Sequence, residues 1–410
     1  MTAGADNRGT PRRTPKAGNP LEVFLIFLRL GLTSFGGPVA HLGYFRTEFV
    51  ERQKWLSDAA YADLVALCQF LPGPASSQVG IGIGLSRAGL PGSLAAWLGF
   101  TTPSALAMTA IGLGAVAFQD NLTQEILKML MLVAVAVVAN AVWGMARMLC
   151  TDGTRAAIAV AATVVLLIVP STSIQLAVIA GGAVLGLVLI EARESEEEDA
   201  FEIPVGRGIA VFCLIAFFVL LAGLPVAAIR FPDQALILFD SFYRSGSLVF
   251  GGGHVVLPLL QEEVVPPGWV GPDAFLAGYG AAQAMPGPLF TFASFLGAVS
   301  QVPPTAWTGA LIATVAIFVP SFLLVIGALP FWDGLRRVGS VRRALAGVNA
   351  AVVGLLLAAL YDPVITSAVE NNADVAAALV LFLLIAVWKV PPWLVVAGAA
   401  VYGAGLGFLL

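Results

Sequence analysis

Two arginines lie inside apolar stretches: Arg29 in "LEVFLIFLRLGLTSF" and Arg244 in "ALILFDSFYRSGSLVF". A charge at membrane depth is costly and usually faces a cavity or a partner. Two such guanidiniums would make an anion site. The plainer reading has each one snorkel to the interface or pair with a carboxylate such as Glu22 or Asp240. Both arginines stand near broken backbone, which favours the anion site. One kind of break is the Pro-Gly-Pro of "QFLPGP" (69–74) and "QAMPGP" (283–288). Proline suits the first helical position. A helix starting near Pro74 leaves free N–H groups from Ala75 to Ser77, and another does so after Pro288. Such ends attract anions through dipole and donors together. The plainer alternative is a proline kink with its backbone satisfied.

The expected substrate-binding set follows from these motifs. It comprises Arg29, Arg244, Pro72, Gly73, Pro74, Pro286, Gly287 and Pro288, with hydroxyls from Ser77 and Thr291 and amides from Gln69 and Gln283. Gly36 and Gly37 of "SFGGP" and Gly251 and Gly252 of "VFGGG" join it. Glycine permits positive φ and close approach, although a helix C-cap or tight helix packing would use it equally well. Glu48, aligned with Glu262, is the candidate for proton coupling. Its plainer reading is a solvated face of an amphipathic segment.

The elements that must position these groups are membrane helices. The chain has 410 residues, 59% of them hydrophobic, 11% charged, with a mean hydropathy of +0.91. Soluble domains are about 45–50% apolar and about 25% charged. Long apolar runs recur from residue 21 onward, which predicts an all-α polytopic membrane protein in the lipid bilayer. No basic patch interleaved with aromatics suggests nucleic-acid binding. Cys68, Cys150 and Cys213 form no CxxC pair and read as small buried hydrophobes. His41 and His254 belong to no metal-ligating pattern. Neither a metal, a cofactor nor an enzymatic activity is expected.

The sequence repeats itself. "WLSDAAYADLVALCQFLPGP" (55–74) matches "WVGPDAFLAGYGAAQAMPGP" (269–288) at an offset of 214, and "FLRLGLTSFGGP" (27–38) matches "FYRSGSLVFGGG" (242–253) at 215. Pro103-Ser104 likewise matches Pro320-Ser321. The organisation expected is a disordered cytoplasmic tail (1–20), a first repeat (21–191), a charged cytoplasmic linker (192–207), a connecting transmembrane helix (208–229) and a second repeat (230–410). Loop 336–343 holds four arginines where its counterpart 119–128 holds only Lys128. Segment 45–54 holds Arg46, Arg52 and Lys54 where its counterpart 260–268 holds none. Opposite Lys/Arg bias predicts two repeats of inverted topology, each with broken or re-entrant helices, and a cytoplasmic N-terminus. In each repeat two hairpins, turning at the Gly-Gly and Pro-Gly-Pro motifs, precede full spans.

The ordered set "FGGP", a tryptophan and "QFLPGP", repeated with divergence, resembles the chromate ion transporter family over about 22–360. The resemblance implies a bacterial inner-membrane protein that exports chromate and confers chromate resistance, with sulfate as a related tetrahedral dianion. The family motif falls on Phe35-Gly36-Gly37-Pro38 and Phe70-Leu71-Pro72-Gly73-Pro74. The second half departs from it, with Gly253 for proline and Ala284-Met285 for Phe-Leu. No GxxxxGK[ST] is present, so the expectation is a secondary active transporter. Alternatives are a sulfate or other oxyanion carrier, an anion channel and, less favoured, a membrane-bound chromate reductase. A homodimer is compatible with the sequence and not required by it.

Overall fold

A computed structural model describes residues 18–117, 121–169, 171–191, 205–250, 253–336 and 338–409. Most of the tail expected over 1–20 and of the linker expected over 192–207 lies outside the described residues, as do Gly251 and Gly252.

The chain opens on α1 (Pro20–Thr33), where the Asn19 side chain accepts from the Leu21 N–H and proline fills the first turn. A break at Gly36, with φ +103°, leads into α2 (Gly37–Phe45), which runs on as a wider turn to Arg52. Helix α3 (Asp58–Phe70) is capped by Ser57 and stops where Pro72 forbids continuation. Helix α4 (Ala75–Ala117) is a hairpin rather than a rod, because the backbone leaves helical geometry at Ala88 and Gly89. Its arms meet where Gly84 and Gly92 face each other, since a Cβ on either would overlap the other's carbonyl. Three helices complete the half: α5 (Asn121–Leu149), α6 (Gly153–Ile168) and α7 (Thr172–Leu189). Then α8 (Arg207–Arg230) connects to the second half.

The second half follows the same plan. It starts with α9 (Gln234–Ser247), capped by Asp233, then α10 (Val256–Val264) and α11 (Pro272–Ala282). The counterpart of the α4 hairpin is split into α12 (Phe292–Val299) and α13 (Ala306–Ala328), and Gly297 and Gly309 meet as Gly84 and Gly92 do. The rest is α14 (Trp332–Arg336), α15 (Gly339–Ala359), α16 (Thr366–Ala368), α17 (Asn372–Ala386) and α18 (Pro392–Leu409). No strand occurs among the described residues.

Among the described residues five helical stretches, over 75–117 with its bend at Ala88-Gly89, 124–149, 207–230, 306–335 and 339–368, are long and apolar enough to cross a membrane. Shorter apolar helices lie at 153–168, 174–189, 372–386 and 392–407. The chain is an all-α polytopic membrane protein. Its halves interlock: α7 packs on α15 and α18 on α5. A buried bond adds to this, as the Trp332 indole donates to Asp63 Oδ1 at 2.8 Å.

Candidate substrate site

The two Pro-Gly-Pro loops are held by each other's half. The Gly73 N–H donates to the Val249 carbonyl at 2.7 Å, and the Gly287 N–H donates to the Ser34 carbonyl at 2.9 Å. Val249 stands 215 residues after Ser34, and Gly287 stands 214 after Gly73, so one contact is the repeat of the other. Lipid offers backbone groups no partner. The broken helices find theirs across the repeat boundary.

Glycine is required at both loops. Gly73 has φ +124° and Gly287 has φ +94°. A Cβ at Gly73 would lie 2.6 Å from Gln78 Nε2 and 3.1 Å from Ser321 Oγ, and one at Gly287 would lie 3.0 Å from Ser104 Oγ. Ser104 and Ser321 are the matched serines of the repeat. Each backs the other half's loop.

A third contact joins equivalent positions directly. A Cβ on Gly253 would fall 3.1 Å from Pro38 Cγ. Pro38 and Gly253 are 215 residues apart. Two prolines would compete for one space there, which explains why the second motif ends in glycine.

Buried polar atoms gather around these loops. His41 Nε2 lies 3.1 Å from the Ser34 carbonyl. A carbonyl only accepts, so Nε2 carries the proton. In the neutral ring Nδ1 then accepts from the Ser76 hydroxyl, 3.4 Å away. Ser34 Oγ, Ser77 Oγ, Gln78 Oε1 and Ser321 Oγ are buried and have no hydrogen-bond partner among the described residues. Gln78 Nε2 donates to the Pro72 carbonyl at 2.7 Å. Helix α4 closes its first turn with the Gln78 N–H on the Pro74 carbonyl, and the N–H groups of Ala75, Ser76 and Ser77 precede that bond.

The second loop differs. A 3-10 turn occupies Leu289–Thr291, and the Thr291 N–H and hydroxyl both donate to the Pro288 carbonyl. Thr291 therefore does not repeat the donor arrangement expected from its match with Ser77. Gln69 is exposed, while Gln283 is half-buried, with Nε2 3.5 Å from the Tyr279 carbonyl. Gly36 and Gly37 have φ +103° and +79°, in keeping with the need for glycine there.

The two arginines close on carboxylates of their own halves. Arg29 meets Glu48 at 2.6 Å. Arg244 meets Glu263 at 2.8 Å and Asp240 at 3.3 Å. The expected match of Glu48 with Glu262 needs correction. Arg29 to Glu48 and Arg244 to Glu263 are both 19 residues apart, so Glu263 occupies the place of Glu48. The arginines follow the offset of 215, and the change to 214 falls between Glu48 and Trp55. Carrying the arginine offset forward finds Glu263. No comparable signal marks His41, whose role depends on Ser34 and Ser76 coming together.

The chromate transporter family model matches the chain twice, over residues 21–187 and 236–404. This chain belongs to the chromate transporter family. The two matches coincide with the two halves described above. A chromate transport protein of Pseudomonas aeruginosa is 30% identical over 349 residues, covering 83% of this chain and 80% of that one. A probable chromate transport protein of Synechococcus elongatus is 26% identical, covering 92% and 93%. A chromate transport protein of Cupriavidus metallidurans is 25% identical, covering 93% and 92%. No solved structure matches the chain.

Proposed function

We propose that this protein is a secondary active carrier that exports chromate across a bacterial inner membrane and so confers chromate resistance. The observation that carries the reading is the reciprocal pairing of Gly73 with Val249 and of Gly287 with Ser34. It brings two broken helices and their flanking hydroxyls to one junction between the repeats. In transporters built from inverted repeats, substrate sites lie at the repeat interface and use broken helices. The opposite Lys/Arg bias of the two halves supports the inverted arrangement with a cytoplasmic N-terminus. The names of the three relatives supply the substrate.

In this reading the oxyanion meets the N-terminal turn of α4. The N–H groups of Ala75 to Ser77 and the hydroxyls of Ser34, Ser77 and Ser321 are its donors, because charge-assisted bonds to an oxyanion are the strong ones. Gly73 and Gly287 shape the loops with their own N–H groups already spent on the partner half. Arg29 lies five residues before Ser34, the residue that caps the C-terminal end of α1, roughly a turn and a half away. Its side chain keeps 55% of its surface exposed while bonding Glu48, which leaves part of the guanidinium open to an anion. Proteoliposomes loaded with unlabelled chromate test the reading through uptake of labelled chromate. Sulfate inside in place of chromate tests the wider oxyanion reading. Uptake no faster than in protein-free liposomes overturns both.

A further inference from the structure

Equivalent places in the two halves carry opposite charge. In the first half one carboxylate serves two guanidiniums. Glu48 Oε2 lies 2.6 Å from Arg29 and 3.5 Å from Arg52, and Gln53 Nε2 donates to Oε1 at 3.0 Å. One positive charge is left over. In the second half one guanidinium serves two carboxylates. The same terminal nitrogen of Arg244 lies 2.8 Å from Glu263 Oε2 and 3.3 Å from Asp240 Oδ2. One negative charge is left over. The difference has a sequence origin, since Leu25 stands 215 residues before Asp240. Arg52 falls opposite the proline-glycine run 266–268.

The two groups also differ in exposure. The Asp240 and Glu263 side chains are 7% and 11% exposed, against 55% and 68% for Arg29 and Arg52. A buried charge without a counter-charge is costly, and two carboxylates sharing one cation cannot both stay ionised cheaply. Arg244 and Asp240 are the charged groups that act on Glu263, and the Ser241 hydroxyl bonds it. Arg244 is likewise the cation beside Asp240, and the repulsion between Asp240 and Glu263 is mutual. Around them, α10 packs on α9, α15 and α7 and on the turn that carries His254, while α9 also packs on α8 and α13. Helices α7 and α13 carry no ionisable residue. Helix α8 carries arginines at its two ends and α15 carries Arg342 and Arg343; among the described residues, the ion pairs of Asp240 and Glu263 are with Arg244. Glu262 has a contact of its own.

We infer that the Asp240–Arg244–Glu263 group of the second half takes up the coupling proton, while the Arg29–Glu48–Arg52 group of the first half serves the oxyanion. This rests on the transport reading above. The step is protonation of one carboxylate by water-borne H⁺. An O–H bond forms on Glu263 or Asp240, the other carboxylate keeps its ion pair with Arg244, and the group becomes neutral. A metal cation fits the place less well than a proton does, because the Arg244 nitrogen already sits between the two oxygens. The Glu48 group, with two guanidiniums on one carboxylate, has no excess negative charge for a proton to cancel.

The test is the number of protons moved per chromate, read in proteoliposomes with an internal pH dye and labelled chromate. The wild-type protein is expected to move protons with chromate. Glu263→Gln and Asp240→Asn are each expected to lose that proton flux relative to chromate, and Glu263→Asp to recover it. Glu48→Gln is expected to slow both fluxes in parallel and keep the ratio. A purely structural role for the pair would also lower both fluxes together and leave the ratio unchanged. If Glu263→Gln does not insert, Asp240→Asn gives the same reading. An unchanged ratio in the second-half variants, its loss in Glu48→Gln, or flux driven by sodium without protons overturns the inference. Wild-type chromate flux without protons overturns this inference alone, whereas absence of chromate flux overturns the transport reading itself.

Discussion

Pro38 and Gly253 hold the same place in their two repeats and stand against each other, so that a Cβ on Gly253 would come 3.1 Å from Pro38 Cγ. The pair shows how a duplicated sequence diverges where its copies meet. One copy keeps the ring and the other gives up its side chain.

The first prediction follows from that contact. Gly253→Val is expected to destabilise the detergent-purified protein by about 1–3 kcal/mol, the usual range for overpacking. Pro38→Gly in the same chain is expected to recover most of the loss. Thermal unfolding of the single and double variants measures this, and additive effects would show that the two residues do not compete for space.

Gly73 and Gly287 should both resist substitution. Alanine at either position must adopt a positive φ at a cost of about 1–3 kcal/mol. The new Cβ would also crowd Gln78 and Ser321 in one case and Phe100 and Ser104 in the other. Lower melting temperatures are expected for Gly73→Ala and for Gly287→Ala. Unchanged stability in both would contradict the cross-repeat arrangement of the loops.

Arg29→Ala is expected to reduce chromate flux about tenfold to a hundredfold, since a hydrogen bond to a charged group contributes about 1.5–3 kcal/mol. Glu48, only 4% exposed, would keep Arg52 and Gln53 as partners, so the protein should still insert. Flux and membrane abundance measured together separate the two effects. Full flux in Arg29→Ala would remove the arginine from the substrate path.

Trp332→Phe keeps the ring against Phe70, whose centroid lies 5.3 Å from that of Trp332, but removes the indole donor to Asp63. Loss of one donor to a buried acceptor costs about 1–3 kcal/mol. A fall in thermal stability of that size is expected, with Trp332→Ala lower still because it also loses the packing.

Inverted topology makes a separate prediction. Single cysteines placed at Glu125 and Ser340, with Cys68, Cys150 and Cys213 replaced by alanine or serine, should label with a membrane-impermeant thiol reagent from opposite faces. Labelling of both from one face would refute the inversion.

Much of the architecture was legible in the sequence because its signals are local. The helix breaks after Thr33 and Phe70 are written in Gly36-Gly37 and in Pro72-Gly73-Pro74, and long apolar runs mark the spans. The connecting segment expected at 208–229 is the helix Arg207–Arg230. The site was less legible because it is built from contacts between distant residues. Nothing local says that Gly73 bonds Val249 or that Gly287 bonds Ser34. Nor does sequence alignment alone show that Gln69 is exposed while Ser77 is buried. The match of Glu48 to Glu262 failed by one residue because the offset between repeats changes between Glu48 and Trp55. Pairing with Arg244 was needed to identify Glu263.

The most direct test of the account is chromate counterflow in proteoliposomes. With chromate held inside, labelled chromate outside should enter far faster through the wild-type protein than into protein-free liposomes, and Arg29→Ala should lose most of that exchange. Labelled chromate entering at the protein-free rate, with protein correctly inserted, would contradict the account.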